Sequence, residues 1–109
     1  MHVLKEILER VKSGKNSIEP RSPNSERANQ EEFQPIVKAL DFAIGQGYLK
    51  KYRDHHIDAH SRLVDFVVIE KLTQKGEAFV LNPTPEAEQL LLKTVGTDLP
   101  QQWNRWRSE

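Results

Sequence analysis

The feature that most constrains this chain is an apolar helical stripe followed at once by glycines and an extended segment. Phe33, Val37, Leu40 and Ile44 recur at helical spacing, and Ile36, Ala43 and Gly47 widen the same face. Gly45 and Gly47 weaken the helix, and Tyr48 and Leu49 open a strand. Downstream, Val64, Phe66, Val67, Val68 and Ile69 form a β-branched run that is too short and stiff for a good helix. Between them lies a polar stretch without periodicity at residues 55–61, the tip of a hairpin. Residues 63–72 are therefore expected to pair antiparallel with residues 48–54. The start of the central helix stays open between Gln30 and Pro35. Asn29 followed by Glu32 fits a capping pattern, whereas Pro35 is comfortable only in a first turn.

On either side of this unit the chain reads as helical. Val3, Leu4, Ile7, Leu8 and Val11 make one apolar face, ended by Ser13 and Gly14. Residues 15–30 carry Pro20, Pro23 and many polar side chains, with Ile18 as the clear anchor. Beyond the hairpin, Thr73 caps a helix that Asn82 and Pro83 stop, and Thr84 with Pro85 starts another that Gly96 closes. A last amphipathic piece over residues 100–107 places Trp103 and Trp106 one helical turn apart.

With 16 basic and 16 acidic residues the net charge is zero, so any attraction to nucleic acid must come from local segregation. The absence of cysteine removes disulfides, thiolate metal sites and cysteine nucleophiles. The charged first residues fit neither a signal peptide nor a membrane span, which makes a cytoplasmic protein the expectation.

Helix, Gly47-Tyr48-Leu49, hairpin and Leu72-Thr73-Gln74-Lys75-Gly76, in that order, resemble the second half of a winged helix-turn-helix domain. The resemblance covers roughly residues 3–81, and it implies a short strand at Ser17 to Glu19 and a turn or two of a second helix at Ser25 to Ala28. It implies an α+β winged helix over residues 1–82, with a C-terminal helical extension over residues 83–109. In DNA-binding members of that superfamily the helix before the hairpin enters the major groove, and the hairpin, or wing, touches backbone or minor groove. Mapped here, residues 34–46 are the recognition helix and residues 50–62 the wing.

On the outer face of that helix, helical spacing places Glu31, Lys38 and Phe42, flanked by Gln34, Asp41 and Gln46. Gln34 and Lys38 suit base or phosphate contact, while Glu31, Glu32 and Asp41 oppose it. Lys50, Lys51, Arg53 and Arg62 cluster on the hairpin with His55, His56 and His60, and read either as a solvated surface or as phosphate contacts. Lys12, Lys15, Arg21 and Arg27 extend this patch if the first loop folds near it. The histidines with Asp54 and Asp58 are metal-ligand types, yet neither a helical His pair nor a fourth ligand at fixed spacing accompanies them, so no metal and no cofactor is expected. No phosphate loop or nucleophile elbow is present, and no catalytic residue is assigned.

The expected function is that of a small DNA-binding, transcription-regulator-like protein acting on double-stranded DNA. The competing reading is a winged helix used as a protein–protein interaction module without DNA binding, which the neutral charge and an outward Phe42 favour. Leu91, Trp103, Trp106 and Phe42 are apolar groups that one small core does not obviously absorb. Either they build a homodimer through residues 84–106, the favoured arrangement, or the tail folds back over Phe42 within one chain.

Overall fold

A computed structural model describes residues 2–20, 32–56 and 64–107. The first apolar stripe becomes α1 (Val3–Lys12), whose buried residues are Val3, Leu4, Ile7, Leu8 and Val11. The chain then enters β1 (Ser17–Ile18), with Ile18 as the anchor that plugs into the core. The central helix α2 spans Gln34–Gly45, with Pro35 in its first turn; Glu32 and Phe33 ahead of it form a wider helical turn, and Asn29 lies outside the described residues. The region expected to hold a second helix, including Arg21, Arg27 and Glu31, lies outside the described residues.

The hairpin forms as β2 (Leu49–His56) and β3 (Val64–Leu72), paired antiparallel with Leu49 opposite Leu72 and Arg53 opposite Val68. β1 pairs antiparallel with the other side of β3, giving a three-stranded sheet of order β1-β3-β2. Val67 and Ile69 point into the core, together with Ile18 and Leu49. Three further helices follow: α3 (Gln74–Leu81), α4 (Pro85–Val95) and α5 (Leu99–Arg107). The described residues are thus α+β, with five helices and one antiparallel sheet. None of these helices is long and apolar enough to cross a membrane.

The Gly47-Tyr48-Leu49 and Leu72-to-Gly76 runs are two halves of one joint. Gly47, at φ 83°, turns the chain out of α2 into β2. The Thr73 hydroxyl accepts from Gly76 N–H at 3.0 Å, capping α3, and lies 2.6 Å from the Gly47 carbonyl oxygen and 3.0 Å from that of Tyr48 as a donor. Thr73 N–H also donates to the Tyr48 carbonyl at 3.1 Å. A Cβ on Gly76 would fall well inside contact distance of the Tyr48 carbonyl oxygen and of Leu72 Cδ1, so only glycine lets α3 approach this closely. Lys75 completes the joint, its ammonium donating to the Gln46 carbonyl at 2.5 Å and lying 4.9 Å from the Tyr48 ring centroid.

The core does not stop at the boundary expected near residue 82. Leu91, Leu99, Trp103 and Trp106 belong to the same buried cluster as α1, α2 and the sheet, and α4 and α5 both pack on α2 and on α1. Within the chain, the tail helices thus pack against α2 and α1. Phe42, expected to face outward, is instead half-buried and packed against the core. The reason is the number of neighbours. α2 meets α1, β2, β3, α4 and α5, more cover than a sheet and one helix provide.

Two contacts fasten the tail. Glu88 on α4 is buried, and its carboxylate accepts from the N–H groups of Leu4 at 2.8 Å and Lys5 at 3.0 Å. It caps α1, whose own flanking residue, His2, makes no side-chain cap. On α5, Trp106 donates its indole N–H to the Glu19 carbonyl at 2.8 Å, stacks on Trp103 and carries the Arg10 guanidinium 4.6 Å from its ring centroid.

Candidate nucleic-acid interface

β2 is an edge strand, with β3 on one side and no strand of the described residues on the other. Its first half alternates poorly: after buried Leu49, the four residues Lys50, Lys51, Tyr52 and Arg53 are all exposed. Register shifts accompany this run, between Lys50 and Lys51 and between Lys51 and Arg53. From Lys51 to Arg53 the strand advances two residues while β3 advances one, from Ile69 to Val68, so Tyr52 has no cross-strand partner. Its side chain is 68% exposed.

The cations around it are differently engaged. Lys50 forms an ion pair with Glu70 at 3.0 Å, between side chains that are both well exposed. Such surface pairs contribute about 0–1 kcal/mol, so a phosphate can replace the carboxylate at little cost. The Arg53 guanidinium lies 5.6 Å from the Phe66 ring centroid, which holds its flat face over the sheet. Half-buried Phe66 and Val68 lie beneath this layer. Arg62 and His60 lie outside the described residues.

The central helix offers much less. Across α2 the exposed positions are Lys38, Asp41 and Gly45, and Gln34 is half-buried. At about 100° per residue these three span only about 60° of the helix circumference. The stripe carries one cation, one anion and a glycine. Lys12 and Lys15, also exposed, belong to the segment that leads into β1, on the far edge of the sheet. Two strand spacings, ~10 Å, separate that edge from β2.

The residues assigned to an interface by sequence are inside. Leu91, Trp103 and Trp106 are buried within the chain, so the apolar groups that motivated a homodimer already have partners. Glu88 was not singled out by sequence, and its signal was its position. Glu88, Leu91, Leu92 and Val95 share the spacing of one helical face, so the carboxylate sits on an apolar stripe and needs a buried partner.

Comparison of the chain with protein-family models, with curated proteins and with solved structures finds no match. The side chains themselves therefore carry the functional argument.

Proposed function

We propose that the chain is a winged helix that binds double-stranded DNA chiefly through its hairpin, with the central helix serving the core. The order helix, short strand, central helix and hairpin, with the sheet arranged β1-β3-β2, supports the winged-helix reading. The observation that carries the functional part is the run Lys50, Lys51, Tyr52 and Arg53, exposed together on the sheet edge. Three cations along one strand match the spacing of a phosphate backbone better than the narrow stripe on α2 matches a groove.

In this reading Lys50, Lys51 and Arg53 each neutralise a phosphate, and Lys38 adds no more than one contact from the helix. Each contact contributes about −0.9 to the slope of log affinity against log salt. Three contacts then predict roughly a 20-fold loss of duplex affinity between 50 and 150 mM salt. Fluorescence anisotropy with a 20-base-pair duplex measures this directly. The triple variant K50A/K51A/R53A should flatten the slope, and K38A should change it by no more than about 0.9. Absence of duplex binding at 50 mM salt would refute the proposal.

A second reading, a protein-interaction module, draws on the Lys50–Glu70 ion pair and on the half-buried Phe66 and Val68 of the neighbouring strand. It predicts no dependence on duplex DNA at any salt concentration.

A further inference from the structure

We infer that Tyr52 is a stacking surface for an unpaired base, so that the hairpin takes single-stranded nucleic acid at least as well as duplex. This rests on the hairpin reading above and names the form of nucleic acid that the hairpin would select.

The core does not need this ring. Tyr48, four residues earlier, is buried and packs its ring 5.1 Å from that of Phe79, whereas Tyr52 remains 68% exposed. A single exposed aromatic is ordinary on a protein surface. Tyr52 differs in its setting. It occupies the extra position of a register shift, a device that re-aims one side chain away from the ladder. Lys51 precedes it and Arg53 follows it, and all three are exposed on the sheet edge, so cations flank the aromatic residue along the chain.

Phosphates of a single strand are spaced so that a bound backbone carries its bases outward at each step. A ring flanked by cations can hold two phosphates and stack the base between them. The Arg53 guanidinium, held over Phe66, adds a second flat cationic surface for a neighbouring base. A duplex keeps its bases paired and offers Tyr52 only sugar and phosphate. The shape of this edge therefore suits an unpaired segment, and its charge suits any polynucleotide backbone.

The test uses the full chain and four fluorescent probes of one mixed sequence: a 12-nucleotide DNA strand, the same strand as RNA, the DNA strand with an abasic centre, and the DNA duplex. Anisotropy titrations at 50 mM salt compare wild type, Y52F and Y52A. Because the ring is exposed, both variants should melt at the wild-type temperature. Single strands should bind at least as tightly as the duplex. Y52A should weaken them by about 5- to 150-fold, the range for loss of one stacked base, while Y52F retains the affinity. The duplex should lose less than 2-fold with either variant. An equal response of DNA and RNA assigns the site to the shared base and phosphate chemistry, and a preference for RNA adds a 2′-hydroxyl contact. Duplex binding with weaker single-strand binding that is indifferent to Y52A would overturn the stacking role and leave the hairpin reading intact. Failure of every probe to bind would overturn both.

Discussion

Replacing Glu88 with alanine should destabilise the protein by ~2–4 kcal/mol, although the residue is far from the candidate interface. The carboxylate accepts from two consecutive N–H groups in the first turn of α1, those of Leu4 and Lys5. Hydrogen bonds to a charged group contribute about 1.5–3 kcal/mol each, and loss of a helix cap alone costs about 0.5–2 kcal/mol. The two contributions overlap, and water entering the space left by the side chain recovers part of the loss, which gives the stated range. Glu88→Gln keeps one acceptor oxygen but turns an NH2 group towards the other N–H, so its cost should be smaller than that of alanine. Urea unfolding with unchanged m-value is the assay, and the alanine variant should lose roughly 10–25 °C in melting temperature. Amide exchange adds site resolution: the amides of Leu4 and Lys5 should lose protection first. If Glu88→Ala stays within about 0.5 kcal/mol of wild type, the range of an ordinary surface change, the capping argument is wrong.

Leu40 lies in the middle of α2 at 1% exposure, and Leu40→Ala should cost ~2–5 kcal/mol, with an unchanged melting temperature refuting its assigned facing. Gly76→Ala inserts a methyl group against the Tyr48 carbonyl and Leu72, and should cost at least ~1–3 kcal/mol by urea unfolding despite the better helix propensity of alanine. Leu91, Trp103 and Trp106, three of the groups that suggest a homodimer, are buried within one chain, so the unfolding midpoint should not depend on protein concentration. A midpoint that rises with concentration would bring the dimer back.

Much of the fold was legible because local and tertiary preferences agree. The β-branched run from Val64 to Ile69 lies in β3, and Gly47 and Gly76 stand where the joint demands them. Position within the tail was harder to read. Three adjacent leucines on a helix cannot all face one core, and Leu90, Leu91 and Leu92 divide: Leu91 is fully buried, Leu92 is half-buried and Leu90 is 44% exposed. Phe42 was misjudged because helical spacing specifies a face but not how many neighbours cover it. The site was legible in part. Composition located the basic hairpin, but only strand register isolates Tyr52, and a register shift leaves no mark in hydrophobic alternation.

The clasp between the first and last helices has a consequence for the order of folding. α1 is made early, yet the carboxylate that caps it arrives 84 residues later, and the ion pair from Glu6 to Arg107 spans 101 residues. Until α4 and α5 appear, α1 has open N–H groups and an apolar face with only part of its cover. Closing so long a loop costs conformational entropy before any contact is returned, so these contacts form late. A nascent chain bearing α1, the hairpin and α3 would expose the sides of α1 and α2 that the tail later covers. Docking of the tail would cover the apolar sides of α1 and α2 together, removing surface of the kind that makes partly folded chains prone to aggregate.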